Sequence, residues 1–270
     1  MERTILFNHI PKTGGTTLRI IFNRVYGQDK VYFIKSTDIG SSFRKFEGFD
    51  RKTREQYKVI SGHGAEMFSD LVENPFKVSI LREPVSLFFS QFNFLKISPN
   101  SNFYHDVRDM STPDEYLEYA QEKGQDNLLT RYFSGSMQFL VNNHLPVPDL
   151  EKEGPNLLLK AKENLISYEA LLDLSRFDRG LFALAKKLNW PGIPVYRPSN
   201  ITGKKGKSFQ LNDDFHQKLR HVLRYDIVLY EYFIKKDIEI SNTVQNGLNL
   251  SVFLLRQKGI RYLAQVLGKK

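Results

Sequence analysis

The stretch HIPKTGGTT, from His9 to Thr17, decides the fold of this chain. It ends a short apolar run, Thr4 to Ile10, and it precedes LRIIFNRVY, in which apolar residues recur at helical spacing. This pattern predicts a strand, a loop and a helix. In such a turn the glycines let the backbone approach an anion, and the first amides and the dipole of the helix favour negative charge. We therefore expect a phosphate group to bind here.

The position of Lys12 separates this loop from the phosphate loop of ATPases and kinases. In the GxxxxGK[ST] pattern the lysine follows the glycines, whereas Lys12 precedes Gly14 and Gly15. A kinase also needs a carboxylate at the end of a second strand to hold magnesium. The best second strand, Phe76 to Leu81, is followed by Arg82 instead. A nucleotide kinase is therefore the disfavoured alternative.

A second anion site is predicted directly after that strand. Arg82 begins the stretch REPVSLFFSQF, in which Pro84 can open a helix and Ser90 follows inside it. An arginine and a serine there, together with the lysine loop, indicate a nucleotide that carries phosphate at two separate places.

These two elements resemble the sulfotransferases that use 3′-phosphoadenosine-5′-phosphosulfate (PAPS). HIPKTGGTTL resembles their loop for the 5′-phosphosulfate, and ILREPVSLFFSQF resembles their strand and helix for the 3′-phosphate. GHGAEMF from Gly62 and DNLLTRYFSG from Asp126 are similar to the glycan-type branch, which includes heparan sulfate 2-O-sulfotransferase. The resemblance spans Thr4 to Phe233. It implies PAPS as the donor, no metal, and a hydroxyl acceptor on a carbohydrate.

The resemblance also implies roles for the residues of the donor site. Lys12 would stabilise the negative charge that develops on the leaving 5′-phosphate; the alternative is a surface lysine. Arg82 and Ser90 would hold the 3′-phosphate; the alternatives are a structural ion pair and a helix serine. The loop residues expected to contact the phosphosulfate are Thr13, Gly14, Gly15, Thr16 and Thr17.

Two more distant stretches extend this donor site by resemblance. Tyr168 in SYEALL resembles a tyrosine that lies near adenine, with a core tyrosine at a strand end as the alternative. Lys204 and Lys205, with Lys207, resemble a basic loop that closes over the 3′-phosphate. The arginine usual in that loop is absent here, so a solvated basic loop is the alternative.

The acceptor must lose a proton as it attacks sulfur, and His63 is the predicted general base because a histidine titrates near neutral pH. The resemblance assigns this work to the matching histidine, whereas a structural histidine is the alternative. Glu66 is the reserve base or an acceptor contact, and Arg131 is expected to meet the acceptor. His9 is expected to contact the groups that bind substrate without contacting the substrate itself.

Composition narrows the classes of partner. A net charge of +9 and a pI near 9.5 favour an anionic partner. Lysine and arginine are spread along the whole chain without a nucleic-acid-binding module, which disfavours nucleic acid. Binding of the anionic donor would explain part of the excess positive charge, and binding of an acidic glycan would explain more of it. The chain has no cysteine and six scattered histidines, so thiolate metal sites are excluded and a histidine metal site is not expected.

The length of the chain is ordinary for one α/β domain with insertions, since it has 270 residues. No apolar run reaches the length of a membrane span. The phosphate loop begins within ten residues of Met1, which leaves no room for a signal peptide. We therefore expect a cytoplasmic protein.

Alternating strands and helices predict a parallel, doubly wound α/β sheet flanked by helices, with a P-loop-like nucleotide-binding core. Further strands are expected in VYFIK, YKVISGHG and LISYEALL, and the polar stretch from Ser36 to Gln56 is expected to be a loop or an insertion. Helices are expected over Asn156 to Asn164 and from Asp213 to about Lys235.

The expected domain boundaries are 1–241 for the sulfotransferase domain and 242–270 for a basic amphipathic helix at the end of the chain. Three interpretations of this tail remain open. It docks on its own domain, it forms the contact of a homodimer, or it lies on an anionic membrane surface. We expect it to pack against protein.

Overall fold

The centre of the molecule is one parallel β-sheet with helices on both faces, as predicted. The computed structural model describes residues 3–137, 146–192, 194–197, 212–241 and 253–258. The strands lie in the order β2-β3-β1-β4-β5, and all the pairings between neighbours are parallel. The strands are β1 (Ile5–Asn8), β2 (Val31–Phe33), β3 (Val59–Gly62), β4 (Phe76–Leu81) and β5 (Ala170–Asp173).

Helices connect the strands and extend the domain beyond the sheet. Those after the first strands are α1 (Gly15–Tyr26), α2 (Ile39–Glu47), α3 (Arg51–Arg54), α4 (Pro84–Leu95), α5 (Tyr104–Val107) and α6 (Pro113–Glu122). The later helices are α7 (Leu128–Phe133), α8 (Leu150–Ile166), α9 (Phe177–Lys187), α10 (Asp213–Val222) and α11 (Arg224–Ser241). Short 3₁₀ turns are formed by Gln28–Lys30, Ala65–Leu71 and Leu174–Arg176.

Pro84 opens a helix as predicted, and a capping residue marks the start of a second helix. Pro84 is the first residue of α4, and the Glu83 carboxylate accepts hydrogen bonds from the amides of Val85 and Ser86 at 3.0 and 2.7 Å. Thr112 caps α6, where its hydroxyl accepts a hydrogen bond from the amide of Glu115 at 3.3 Å. In α4 and α6, residues at the first turn therefore determine where the helix begins.

The strand order explains where ligands can bind. β1 lies between β3 and β4, so Asn8 is paired with Gly62 on one side and Ser79 on the other. The chain leaves β1 towards β2 and leaves β4 towards β5, on the opposite side. In open α/β sheets the crevice at the carboxyl ends of two such strands is where ligands bind. The segments that carry Lys12 and Arg82 both emerge there.

Apolar side chains alternate between the two faces of the sheet and build separate parts of the core. Phe7, Val59 and Val78 face α1 and α9 in one cluster, to which Phe253 also belongs. On the opposite face Leu81 packs with α7, α8 and α11. The helices on both faces hold the strand ends in place, and with them the loops that follow.

Three boundaries differ from the prediction. In LISYEALL, α8 runs on to Ile166 because Leu157, Ala161 and Leu165 continue its buried stripe, and β5 starts only at Ala170. The stretch from Ser36 to Gln56 contains α2 and α3, whose few buried residues are hidden among polar ones. The helix expected from Asp213 is two helices, with a break at Leu223.

The C-terminal segment is described only at residues 253–258, which are helical. Phe253 is 6% exposed, and its ring centroid lies 6.1 Å from that of Phe182 in α9. Leu255, two residues later, is 67% exposed. This part of the segment therefore packs against the face of the sheet that α1 and α9 cover.

We predict that Phe253→Ala destabilises the protein by about 3 kcal/mol, because a large buried ring leaves a cavity. For a domain of this size the melting temperature should fall by roughly 6 to 12 °C. Thermal unfolding measures the effect, and Leu255→Ala in the same segment is the matched control. If Phe253→Ala melts at the same temperature as the unchanged protein, the buried ring of Phe253 does not contribute to stability.

Candidate active site

The loop after β1 contains two residues in the left-handed backbone region, which favours glycine. Lys12 has φ 61° and Gly14 has φ 88°, both in the left-handed region. A Cβ atom on Gly14 would lie 2.7 Å from Cδ1 of Leu174. Gly14 is therefore required both for the turn and for the close approach of the segment after β5.

The N-terminus of α1 is open to an anion. Its N-cap is Gly14, which has no side-chain cap, and its first turn contains no acidic residue. Thr13 is fully buried, and its hydroxyl donates to the carbonyl of Ile10 at 2.8 Å, so only its amide is left for the predicted contact with the phosphosulfate. Thr16 and Thr17 lie in the first turn of α1, as the predicted phosphosulfate site requires.

Lys12 carries an ammonium group without a carboxylate partner among the described residues. Its Nζ lies 3.9 Å from the ring centroid of Phe94, a residue of α4. Burial and the nearby Arg82 lower the pKa of Lys12 to about 8. The ammonium is therefore held on an aromatic face, in a place where a negative charge would stabilise it.

Arg82 connects the two predicted anion sites. Its Nη1 donates to the carbonyl of Lys12 at 3.0 Å, and its Nε donates to the hydroxyl of Ser86 at 2.9 Å. Burial lowers its pKa, because a charged form is less favourable away from water. Ser90 lies one turn beyond Ser86 on the same face of α4. The sequence reasoning missed Ser86, which its spacing of four residues from Arg82 could have revealed.

The position of the proton on His63 follows from its hydrogen bond. Nδ1 of His63 is paired with the carbonyl of His9, and a carbonyl can only accept. The neutral ring therefore carries its proton on Nδ1, and the lone pair of Nε2 is available. Burial lowers the pKa of His63 below 6.5, so the ring is neutral at pH 7.

Two rings flank His63. The ring of His9 is stacked on it at a centroid distance of 4.6 Å, and the ring of Tyr132 meets it edge-on at 6.4 Å. Tyr132 belongs to α7, whose first amides at Leu129 and Thr130 donate to the buried Asp226. This cap holds α7 and its tyrosine against the site.

Glu66 is bound to protein groups on both of its carboxylate oxygens. Oε1 forms an ion pair with Lys77 at 2.5 Å, and Oε2 accepts from the hydroxyl of Tyr168 at 2.6 Å. The hydroxyl of Ser69 adds a longer hydrogen bond at 3.3 Å. Because these contacts stabilise the carboxylate as it stands, the expected roles of reserve base and acceptor contact are not supported.

Tyr168 is a core residue, which is the alternative that the sequence left open. The residue is 8% exposed and its ring packs edge-on against Phe133 at 5.1 Å. Its hydroxyl accepts from Asn8 at 3.0 Å and donates to Glu66. Burial raises its pKa well above 10. The ring is therefore packed in the core, and these contacts give no support to its expected contact with adenine.

Arg131 is bound inside the fold, which gives no support to its predicted contact with the acceptor. The residue is 1% exposed, and its Nη2 donates to the carboxylate of Asp126 at 2.7 Å. Its Nε donates to the same residue, and Nη1 donates to the carbonyl of Pro148 at 3.1 Å. All three guanidinium nitrogens are therefore engaged inside the fold.

A cavity of about 250 Å³ lies beside Arg131, between α6, α8 and α10. Its charged lining residues are paired with one another or with neighbours, as Arg224 is with Glu151 at 2.8 Å and Glu122 is with Lys123. A paired lining offers neither a proton acceptor nor a free cation. This cavity therefore does not resemble a site for group transfer.

Lys204 and Lys205, which were expected to close over the 3′-phosphate, lie outside the residues that the structure describes. Within the described ranges, no three His, Cys, Asp or Glu side chains gather as a metal site. In the same part of the chain, no helix has the length and apolar character that a membrane span requires.

A sequence profile of known proteins decides the family. The profile described as the sulfotransferase family matches residues 2–233, which include both anion-binding segments and His63. The chain belongs to the sulfotransferase family. No curated protein matches it.

We predict that Arg131→Leu destabilises the sulfotransferase by about 3 to 5 kcal/mol, because the buried carboxylate of Asp126 loses its partner. The double variant with Asp126→Leu should recover much of this loss. Arg51→Leu, at an exposed ion pair with Glu55, is the control and should change stability by less than about 1 kcal/mol. Urea denaturation measures all variants, and an unchanged midpoint for Arg131→Leu would contradict the assignment.

Proposed function

We propose that this sulfotransferase moves the sulfuryl group of PAPS to a hydroxyl of a carbohydrate, as an enzyme of the glycan-type branch. The observation that carries the proposal is the hydrogen bond from Arg82 to the carbonyl of Lys12. It joins the two anion sites at one crevice, between β1 and β4. A nucleotide with phosphate at both its 5′ and 3′ positions matches two such sites.

The residues at the crevice fit this donor. A Cβ atom on Gly14 or Gly15 would collide with a neighbouring side chain, so a larger residue does not fit at either position. The start of α1 has no side-chain cap, and its free amides can bind an anion. Lys12, Thr16 and Thr17 would hold the 5′-phosphosulfate. Arg82 would hold the 3′-phosphate together with Ser86 and Ser90 on α4.

The reaction is an in-line substitution at sulfur. The donor supplies a sulfuryl group bound to a phosphate leaving group. An acceptor oxygen forms the new bond to sulfur, and the old S–O bond breaks with its electrons passing to the phosphate. Nε2 of His63 accepts the proton of the hydroxyl. Lys12 and the amides of α1 stabilise the charge on the leaving phosphate oxygen.

The choice of His63 over Glu66 as the base rests on their hydrogen bonds. The donated proton at Nδ1 leaves Nε2 of His63 with a free lone pair. Both oxygens of Glu66 accept hydrogen bonds or an ion pair from the protein. The oxygens of Glu66 are thus occupied by protein groups, whereas Nε2 of the neutral His63 ring is available to accept a proton.

The surface next to His63 supports a carbohydrate acceptor. β2 is the edge strand beside β3, and Phe33 at its end is 44% exposed. The guanidinium of Arg19 lies 4.2 Å from the ring centroid of Phe33 and forms no ion pair with any described residue. An exposed ring suits the apolar face of a sugar, and a free cation suits an acidic group on it.

We predict that the protein binds 3′,5′-diphosphoadenosine much more tightly than AMP, without magnesium. Arg82→Ala should weaken the diphosphate about 10- to 100-fold, because a charge-assisted contact is worth roughly 1.5 to 3 kcal/mol, and should weaken AMP less. Arg51→Ala, which removes an exposed cation from α3 before β3, is a control for the loss of one charge. Calorimetry with a chelator tests this, and equal affinities for AMP and the diphosphate would reject two phosphate sites.

We predict that His63→Ala lowers turnover by about 10² to 10⁴-fold and leaves affinity for 3′,5′-diphosphoadenosine nearly unchanged. A screen of oligosaccharide acceptors with radiolabelled PAPS supplies the assay. Glu66→Gln is the control and should cost stability rather than chemistry. A severe loss for Glu66→Gln with a mild one for His63→Ala would reverse the assignment of the base. Tight nucleotide binding without turnover on any acceptor would indicate a binding protein.

A further inference from the structure

His9 is a second histidine at the crevice, and the reaction proposed above does not use it. It directly follows β1 and precedes the phosphate loop. Its ring is stacked between two others, with centroid distances of 5.7 Å to Phe7 and 4.6 Å to His63. The interplanar angles are 13° and 26°, so the three rings form one continuous stack. The stack extends from the core of the sheet to the proposed base.

The phosphate loop is shaped around the ring of His9. A Cβ atom built on Gly15 would lie 2.0 Å from Cδ2 and 2.3 Å from Nε2 of His9. Those are distances at which the ring or the helix would have to move. The second glycine of the GG pair therefore has a use besides anion binding, because it makes room for this histidine at the start of α1.

His9 constrains His63 in two independent ways. Its main-chain carbonyl accepts the proton on Nδ1, which determines the tautomer of His63. Its side chain covers one face of the His63 ring, while Tyr132 of α7 limits the ring on another side. A ring that is bound through one nitrogen and covered on its face has few orientations left. Nε2 is then the atom of His63 that is left for the acceptor.

The charges around His9 keep its ring neutral. Three cationic or titratable groups face it: His63 after β3, Lys12 in the loop and Arg19 on α1. Burial and then these three groups lower the pKa of His9 well below 6.5. A neutral ring leaves its π face free for the imidazolium that forms on His63, whereas a second positive charge would oppose that proton transfer.

We propose that His9 is the positioning residue of this sulfotransferase: its stacked neutral ring and its carbonyl hold His63 in the Nδ1-protonated form with Nε2 towards the acceptor, and Gly15 provides the space. The proposal rests on the proposed function for His63 as the base. It assigns a role in the reaction to the first residue of the HIPKTGGTT stretch.

NMR of the full chain labelled at its six histidines tests the proposal without an acceptor. We expect His63 to show the Nδ1–H tautomer and to titrate below pH 6.5. His9→Ala keeps the main-chain carbonyl, so the Nδ1–H tautomer should persist, whereas the titration of His63 should move upwards by about half a unit or more as water reaches the ring. His9→Phe keeps a planar ring and should restore the titration. An Nε2–H tautomer in the unchanged protein, or an identical titration in His9→Ala, would overturn the proposal.

Turnover provides the second readout, for which PAPS and an acceptor from the screen are used. His9→Ala should lower kcat about tenfold and move the acid limb of its pH profile upwards, with KM for PAPS within twofold. His9→Phe should recover most of kcat. Equal losses in His9→Ala and His9→Phe would overturn the role of the stacked ring.

A cycle with Gly15→Ala covers the case in which His9→Ala folds poorly. Gly15→Ala alone should lower the melting temperature and weaken 3′,5′-diphosphoadenosine at least tenfold, because the new Cβ meets the ring. The same change in the His9→Phe background should be as harmful, and in the His9→Ala background clearly milder. Equal effects in all three backgrounds would overturn the packing of Gly15 on His9. Failure of the base assignment itself is seen separately, as full turnover of His63→Ala.

Discussion

The hydrogen bond between Arg82 and the carbonyl of Lys12 is the contact on which the site depends. It connects two segments that lie 70 residues apart in the chain and that leave neighbouring strands. Because β1 and β4 are parallel and in register, their carboxyl ends open on the same side of the sheet. The carbonyl of a lysine in a left-handed turn thereby becomes an anchor for an arginine. The position of each residue therefore depends on the other segment as well as on the strand that precedes it.

The buried polar groups behind the crevice form a second level of support. Asn8, Tyr168, Glu66 and Lys77 are connected by consecutive hydrogen bonds and an ion pair, so β1, β4 and the segments after β3 and before β5 are held together. Tyr168 and Glu66 are each bound on two sides, whereas Oδ1 of Asn8 is buried without a hydrogen-bond partner among the described residues. The network connects Asn8, at the carboxyl end of β1, to residues near the amino ends of β4 and β5.

Much of this architecture could be predicted from the sequence, since its signals are local. The strands are almost continuously apolar, the capping residues precede α4 and α6, and the glycines follow β1 directly. The lysine loop and Arg82 were found in the same way. The order of the strands could not be predicted, because it depends on long-range pairing. The same limit hid α2, whose buried face rests on three residues, Ile39, Ser42 and Phe46.

Arg131 and Tyr168 show why a sequence cannot tell a binding residue from a residue that is bound inside the fold. A sequence shows that a side chain is charged or aromatic, but not what neutralises or covers it. Arg131 and Tyr168 resemble binding residues until Asp126 and Glu66 are seen beside them. Only for Arg131 was a signal present, because Asp126 lies five positions earlier in the same stretch. His63 differs because its partner is a carbonyl, which restricts the ring without neutralising it.

The aromatic cover on Lys12 has a consequence for the exchange of nucleotides. An ammonium paired with a carboxylate would have to break that pair before each donor could bind, and the freed carboxylate would then repel the incoming phosphates. The ring of Phe94 is a weak and neutral companion, so Lys12 can leave it at little cost. In the proposed reaction, no carboxylate of the described residues would compete for Lys12 when the spent nucleotide departs. The loop would then be ready for the next donor without displacing a carboxylate of those residues.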